Sequence, residues 1–132
     1  MGAPTLRRDC PCGAGRPYDA CCGRLHRGAA QAVTAEELMR SRYAAFALGD
    51  VEHLLRTWHP RTRPDSLELD AGLAWTGLSV DDVVAGGADD AEGEVAFTAS
   101  WRDAAGRSGA LVERSRFARR AGRWLYLDGV HD

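Results

Sequence analysis

All four cysteines of this 132-residue chain lie in one short segment, as the pairs Cys10/Cys12 and Cys21/Cys22. A tetrahedral Zn²⁺ site takes four soft or borderline ligands, with thiolate sulfurs about 2.3 Å from the metal. Each close pair can supply two corners of the tetrahedron. The glycines and prolines between the pairs permit and stiffen the tight loop that joins them. The spacing therefore predicts a small knuckle around a structural zinc ion.

The cysteines alone leave other chemistries open, namely two disulfides, an iron–sulfur cluster or a redox-active thiol pair. Disulfides require an oxidising compartment, whereas the residues before the cluster are polar and show no apolar signal segment. Iron–sulfur ligands are usually spaced more widely. His26, four residues after Cys22, can also replace one thiol as the fourth ligand. Zinc is the favoured occupant, and we expect a cytoplasmic protein.

Charge and hydropathy exclude two broad classes of function. No apolar run approaches the roughly 20 residues that a membrane-spanning helix needs. The formal net charge of −2 disfavours a dominant role in nucleic-acid binding. Arginines are nevertheless concentrated in one stretch, which a solvated outer sheet face explains better than an RNA-binding surface. These arginines are Arg114, Arg116, Arg119, Arg120 and Arg123.

Local signals predict two helices after a polar linker over residues 24–33. Thr34 and Glu37 form a capping box for a helix over residues 35–48, which Gly49 ends. Asp50 can cap a second helix over residues 51–58, and a proline follows it closely. The apolar residues of both segments recur at helical spacing, so each helix has one face for a core.

The rest of the chain is typical of a strand meander, with Gly- and Asp-rich turns between the strands. Two helices followed by such a meander predict an α+β fold, in which helices pack on a curved antiparallel sheet to form a cone. We expect a knuckle over residues 1–28 and a cone domain over residues 34–132. The predicted strands are Leu73–Ala85, Glu94–Arg102, Gly109–Arg119 and Arg123–Val130.

Strand alternation places polar residues on the inner face of the sheet. Glu113 and Ser115 alternate with Leu111 and Phe117, and Arg42 falls within the apolar stripe of the first helix. An unpaired buried charge costs several kcal/mol, so we expect Arg42 and Glu113 to form an ion pair or to share a hydrogen-bond network. In the last strand either the even or the odd positions can face inward.

These inward residues suggest a pocket in the cone. His59 is better explained as a residue that interacts with the C-terminal end of the second helix than as a catalytic group. A buried carboxylate can serve as a general base, and a buried arginine can hold an anion. The candidate pocket residues are Arg42, Tyr43, Trp58, His59, Trp101, Glu113 and Ser115.

The knuckle resembles the SEC-C zinc motif, through Cys-Pro-Cys-Gly-x-Gly, then Tyr, then Cys-Cys-Gly over residues 10–23. This motif is known from the C-terminal tail of the SecA translocation ATPase and from small bacterial proteins. The last pair is Cys-His in SecA, so the resemblance implies a four-cysteine zinc site here. In SecA the motif contacts the chaperone SecB and the ribosome, which implies a protein partner for the knuckle.

Residues 34–130 resemble the bacterial YchJ family. The resemblance implies a nuclear-transport-factor-like (NTF2-like) cone and a possible homodimer through the outer sheet face. The biochemical role of that family is not established, so the resemblance implies no reaction. The motifs that carry it are LMRSRYAAF at 38–46, TWHP at 57–60, WxGLxV at 75–80, ERSRF at 113–117 and GxWxYxDG at 122–129.

Two functions follow as hypotheses. The first is a non-enzymatic binding or adaptor module, in which the knuckle contacts a protein partner and the cone serves as a scaffold or small-ligand receptor. Arg16, Arg24 and Arg27 flank the knuckle and can meet an acidic partner. The second is an enzyme with a small-molecule pocket centred on Arg42, His59 and Glu113. The zinc is structural in both, because a catalytic zinc keeps an open coordination position.

Overall fold

The longest helix, α2 (Ala35–Leu48), has the bounds that its capping signals predict. The computed structural model describes residues 9–131 of the chain. Thr34 Oγ1 accepts a hydrogen bond from the Glu37 amide at 3.1 Å, and Gly49 ends the helix in the left-handed conformation, at φ 79°. The Glu37 carboxylate accepts from the Val33 amide at 2.7 Å rather than from Thr34. Both helix ends are therefore set by local chemistry.

Helix α3 (Val51–Arg56) is shorter than predicted. Asp50 caps it as expected, accepting from the His53 amide at 3.0 Å. The chain then leaves the helix to pair with the last strand: the Tyr126 amide donates to Thr57 O at 2.8 Å, and the His59 amide donates to Tyr126 O at 2.7 Å. A tertiary contact therefore ends α3. No helix among residues 9–131 is long and apolar enough to cross a membrane.

The four strands form one antiparallel sheet in the order β1-β2-β3-β4. Their bounds are β1 Ala74–Ala85, β2 Glu92–Arg102, β3 Ser108–Arg120 and β4 Arg123–His131. The inner face is the predicted one, with Val95 opposite Ser115 and Phe97 opposite Glu113. Edge strand β1 contains two register shifts. The helices pack on this sheet, so the predicted α+β cone is confirmed.

A bulge in β4 explains why its inward face is ambiguous in the sequence. Arg116 pairs with Asp128, whereas the next residue, Phe117, pairs with Tyr126, so Leu127 is an extra residue on β4. The bulge reverses the alternation of side chains along the strand. Before the bulge the even-numbered residues of β4, such as Tyr126, face the core. After the bulge the odd-numbered residues, such as Gly129, lie opposite the inner-face residues of β3. Both alternatives are therefore used, each in one half of the strand.

The segment after the cysteines is not the polar linker that we expect from its sequence. Residues Cys22–His26 form a short helix, α1. Leu25, 4% exposed, and Ala32, 9% exposed, belong to the same hydrophobic core as α2 and the sheet. A five-residue helix is too short to show an apolar period, so the sequence does not reveal it. The N-terminal segment is thus anchored in the core of the cone.

The first turn of α2 approaches the β1–β2 hairpin closely. The Ala35 amide donates to Gly86 O at 2.9 Å. Gly93 faces Gly86 across the strand pair, and a Cβ on Gly93 would overlap the Gly86 backbone and lie 3.2 Å from the Ala35 Cβ. The helix can reach this depth only because both positions lack side chains.

Candidate metal centre and cone cavity

The four cysteine sulfurs converge at the N-terminal end of the molecule. All four Sγ atoms lie within 4.8 Å of one another, and Cys12 Sγ is 3.6 Å from Cys21 Sγ. A regular tetrahedron with metal–sulfur bonds of about 2.3 Å has edges of about 3.8 Å. The thiols are free and buried. Their separation and chemistry fit a tetrahedral thiolate site, so this cluster could hold a metal ion.

Backbone turns bring the two cysteine pairs together. The Cys10 amide donates to Arg16 O at 2.8 Å, and the Gly13 amide donates to Cys10 O at 3.2 Å. Gly13 has a φ of 81°, which a residue with a side chain adopts only at a cost. Cys22 is the first residue of α1, so this short helix orients the second pair. The predicted knuckle geometry thus follows from turn chemistry.

Burial and mutual hydrogen bonds shift the pKa values of the cysteine thiols in opposite directions. A hydrogen bond from Cys22 lowers the pKa of Cys12 to about 5. Donating that bond and being buried raise the pKa of Cys22, and burial raises the pKa of Cys10 to about 11. Of these three thiols Cys12 ionises most readily, and a bound dication would favour the ionised forms of Cys10 and Cys22 as well.

His26 lies outside the sulfur cluster. Its Nε2 is 2.8 Å from Ser41 O, and its Nδ1 is 2.6 Å from the Tyr18 hydroxyl. A carbonyl oxygen only accepts, so Nε2 carries the proton and Nδ1 accepts from Tyr18. Both ring nitrogens are engaged, and His26 is therefore not placed as a fourth ligand. It instead ties the knuckle to α2.

Two arginines reinforce this attachment. Arg40 on α2 donates from Nη1 to Cys12 O at 2.8 Å. Arg24 on α1 donates to the Glu37 carboxylate at 2.6 Å. Ala44 of α2 packs against the four cysteines and is fully buried. The cluster is therefore docked on one side of α2.

A second histidine, His53, is buried beside this contact. It is 2% exposed, its ring centroid is 4.5 Å from that of His26, and its Nε2 is 2.9 Å from Ser41 Oγ. Burial, followed by the positive charges of nearby arginines, lowers the pKa of His53 to about 3. The folded protein thus holds this ring neutral.

We expect acid to destabilise the protein through His53. The unfolded chain protonates this histidine near pH 6.5, but the folded chain does so only near pH 3. Above about pH 6.5 the titration of His53 therefore does not change the free energy of unfolding. Below that pH the free energy of unfolding decreases by at most about 1.4 kcal/mol per pH unit. Urea unfolding midpoints of the zinc-loaded protein between pH 7.5 and 5.5 measure the slope. The His53→Gln variant should show a flatter profile, and equal slopes in the two proteins would contradict the assignment.

The cone contains a cavity of ≈ 250 Å³ between α2 and the inner face of the sheet, and the cavity is partly open to solvent. Its walls are mostly aromatic and aliphatic, with a few polar groups among them. The lining residues are Met39, Arg42, Tyr43, Phe46, Trp58, Trp75, Phe97, Ala99, Leu111, Glu113, Ser115, Phe117, Tyr126 and His131.

Arg42 is the cation of this cavity and is 6% exposed. Its Nη1 donates to Leu54 O at 2.8 Å and to Thr57 Oγ1 at 2.7 Å. Its Cζ lies 4.5 Å from the centre of the Tyr126 ring and 5.1 Å from that of Trp58. Burial lowers the pKa of Arg42 to about 10, so the side chain stays charged at neutral pH.

Glu113 is the carboxylate of the cavity. Ser115 Oγ donates to one of its oxygens at 2.5 Å, and His131 Nε2 lies 2.6 Å from the other. A Cβ on Gly129 would overlap the Glu113 carboxylate, so the glycine makes room for it. The bulge in β4 sets this arrangement, because it places Gly129 and His131 opposite Ser115 and Glu113.

The expected ion pair between Arg42 and Glu113 is wrong, and the two side chains share no hydrogen-bond partner among residues 9–131. Each group has other partners: Arg42 bonds the end of α3, and Glu113 bonds Ser115 and His131. Tyr126 lies beside both charges, and its pKa is raised to about 12 by burial and then by the charge of Glu113. Backbone carbonyls and aromatic rings can also stabilise a buried arginine, so the burial of Arg42 does not require a carboxylate partner.

Five of the seven candidate pocket residues line the cavity together, and two do not. His59 lies beyond α3 and bonds β4 through its backbone amide, while its Nδ1 accepts from the Arg61 amide at 3.1 Å. The indole of Trp101 covers Gly109 on the neighbouring strand. Tyr126 and His131 also line the cavity, but they are not among the candidates predicted from the sequence. Alternation after the bulge would identify His131, but the bulge has no clear sequence signal.

The arginines of the β3–β4 hairpin are largely paired. Arg114 donates to Asp82 at 2.7 Å and to Glu94 at 3.2 Å. Arg116 forms two bonds of 2.6 Å with Asp128. Arg119 donates to carbonyls of the β1–β2 loop and stacks on Trp124. Acidic partners thus neutralise Arg114 and Arg116 on the outer face, whereas Arg119 is held by backbone carbonyls and an aromatic ring.

The geometry defines an NTF2-like cone with an N-terminal cluster of four cysteines. Comparison with known proteins agrees with this class. The solution structure of a SEC-C motif containing protein from Rhodopseudomonas palustris superposes with a TM-score of 0.81, at 35% identity, over 93% of this chain and 98% of that one. A SEC-C motif containing protein from Psychrobacter arcticus gives a TM-score of 0.75, at 29% identity, over 92% and 81% of the chains.

The chain belongs to the YchJ family, because the family model for the YchJ middle NTF2-like domain matches residues 34–129. A UPF0225 protein of Streptomyces coelicolor is 56% identical over 120 residues, which are 91% of this chain and 93% of that protein. The resemblance seen in the sequence motifs is therefore confirmed.

Proposed function

We propose that this protein is a zinc-stabilised, non-enzymatic binding module whose cone is a receptor for a small molecule. Four buried thiols at tetrahedral separation support zinc, since thiolates suit soft and borderline metals and a four-sulfur site leaves no open position for catalysis. The ion would hold the knuckle against α2. Its role is structural, and cysteine-only ligation in the cytoplasm is consistent with that.

The observation that carries the receptor proposal is the cavity itself. A well-packed core has few voids larger than a water molecule, yet this cone keeps ≈ 250 Å³ open among aromatic side chains. Small-molecule sites typically combine apolar walls with a few fixed polar groups. Here those groups are Arg42 and Glu113, each held by further hydrogen bonds.

Filling part of the cavity should weaken ligand binding. Ala99 is 2% exposed and lines the cavity, so the Ala99→Phe side chain would occupy part of the space. We expect small aromatic compounds to shift amide resonances of cavity residues in the zinc-loaded wild type, and at least tenfold weaker binding in Ala99→Phe. Ala96→Phe, on the outer face of the same strand, is the matched control and should bind normally. Undiminished binding in Ala99→Phe would place the ligand elsewhere.

The second candidate function is an enzyme, and it is supported by the contacts of Glu113 with Ser115 and His131. A carboxylate in an apolar cavity can act as a general base. Both Glu113 oxygens are already engaged, however, and His131 does not contact Ser115 in the way that a nucleophile requires of its base. Compounds recovered unchanged from the binding experiment support the receptor, whereas a chemically altered compound supports the enzyme.

A protein partner at the knuckle is a further part of the adaptor proposal. The turn over residues 13–16 is exposed and ends at Arg16. Arg24 is paired with Glu37, Arg27 donates to Asp19 O at 3.1 Å, and Arg16 donates to Cys21 Sγ at 3.8 Å, so all three flanking arginines have partners within the protein. The contact of Arg16 is the longest of the three, and Arg16 is exposed. The exposed turn is therefore the part of the knuckle best placed for contact with an acidic partner. A homodimer would use the outer face of the sheet.

A further inference from the structure

The cavity has an excess of unpaired hydrogen-bond donors. Both hydrogen bonds from the Arg42 side chain start at Nη1. Within residues 9–131, neither Nε nor Nη2 of Arg42 has a protein acceptor or a carboxylate partner. Trp58 Nε1 is the buried side-chain nitrogen that lacks a partner in this part of the chain. Arg42 lies over the Trp58 ring, so both residues lie at the same end of the cavity. The indole nitrogen itself is enclosed by protein atoms, so Arg42 supplies the donors that a ligand can reach.

The protein's hydrogen-bond acceptors near Arg42 already have donors. Leu54 O and Thr57 Oγ1 receive the Nη1 bonds, and both Glu113 oxygens are bonded to Ser115 and His131. A buried donor without an acceptor is costly, and a charged one more so. A ligand with acceptor oxygens and negative charge would remove that cost. A cationic ligand would be repelled by the Arg42 guanidinium and would not supply the missing acceptors.

The shape of the guanidinium narrows the chemistry. Its planar fork matches the two oxygens of a carboxylate. The Trp58 and Tyr126 rings cover the Arg42 guanidinium at 5.1 and 4.5 Å, which leaves its edge for hydrogen bonding. The remaining walls are apolar and aromatic, and they suit a ring or a short hydrocarbon chain.

The volume limits the size of the ligand. A cavity of about 150 Å³ holds benzene, so ≈ 250 Å³ suits a ring with a short acid side chain, roughly ten heavy atoms by the same scale. Resting on the proposed receptor function, we propose that the cone binds a small monocarboxylic acid with an apolar or aromatic body, its carboxylate on Arg42.

Compounds matched in shape but not in charge provide the test. The probes are phenylacetate and 3-phenylpropanoate, their neutral carboxamides, and the corresponding amines, each titrated by calorimetry and by amide spectra of the zinc-loaded protein at pH 7.5. We expect the carboxylates to shift cavity resonances and to bind at least tenfold more tightly than the carboxamides. Trp58→Phe, which keeps an aromatic ring over Arg42 and removes only an enclosed N–H, should keep the preference for carboxylate over carboxamide within about twofold of that of the wild type.

Arg42→Met should reduce the preference for carboxylate over carboxamide to less than about twofold. Because Arg42 also bonds α3, Arg42→Lys provides a second variant that keeps the charge and should keep part of the preference. Carboxamides or amines that bind as tightly as carboxylates would contradict the proposed ligand class, but they would still support a small-molecule receptor. If no probe of any charge shifts the cavity resonances, both the receptor and its ligand class are overturned.

Discussion

Replacing Cys12 by serine is expected to remove the bound metal and to lower the unfolding temperature by at least about 10 °C. Cys12 is fully buried at the centre of the sulfur cluster, and structural zinc contributes its binding free energy to folding. A loss of about 3 kcal/mol already shifts the midpoint by about that amount in a chain of this length. Metal content by inductively coupled plasma mass spectrometry and calorimetric unfolding measure the two effects.

His26→Gln is the matched control for the metal prediction. The glutamine removes the imidazole next to the knuckle, yet it leaves all four thiols in place. We expect one zinc per chain in this variant and a smaller loss of stability. Cys12→Ser protein that retains one tightly bound zinc, or His26→Gln protein that loses it, would show that the four sulfurs are not the ligand set.

Gly93→Val is expected to destabilise the protein by about 3 kcal/mol, although valine favours strands. A Cβ at this position would overlap the Gly86 backbone and press on Ala35 at the start of α2. Backbone atoms cannot move aside as a flexible side chain does, so the helix would have to withdraw from the hairpin. The Ala35–Gly86 hydrogen bond would lengthen with it. Urea unfolding of the zinc-loaded variant measures the loss.

Ala96→Val, on the same strand but on the outer face, separates this effect from strand propensity. Ala96 pairs with Asp82 and Arg114, and its side chain is partly exposed. We expect a change within about 0.5 kcal/mol. Equal stability of Gly93→Val and Ala96→Val would mean that α2 does not approach the hairpin as closely as the structure places it.

The sequence predicts the elements whose signals are local. The bounds of α2 follow from a cap at Thr34 and a glycine at position 49, and the strands follow from alternation between turns. Elements that end at tertiary contacts are predicted less well. Helix α3 ends early because the chain turns to pair with Tyr126, and no residue near Trp58 indicates that pairing. The core contact of Leu25 is hidden for the same reason.

The candidate site is only partly visible in the sequence. Alternation places Glu113 and Ser115 on the inner face, and helical spacing places Arg42 there too. Burial does not determine which partners these groups choose. The β4 bulge sends His131 to Glu113, and the end of α3 supplies acceptors to Arg42. Both depend on long-range geometry, so the expected ion pair is wrong even though both residues are correctly placed.

The irregular edge strand β1 has a consequence for the behaviour of the protein at high concentration. An exposed, regular strand edge can add strands from other molecules and start fibrils. Register shifts interrupt β1 at Trp75/Gly77 and Val80/Asp82, and Asp81, whose partners are the neutral hydroxyls of Ser79 and Thr98, adds negative charge beside the second shift. A neighbouring molecule therefore finds neither a continuous hydrogen-bonding template nor a neutral one. We expect this edge to resist polymerisation by strand addition.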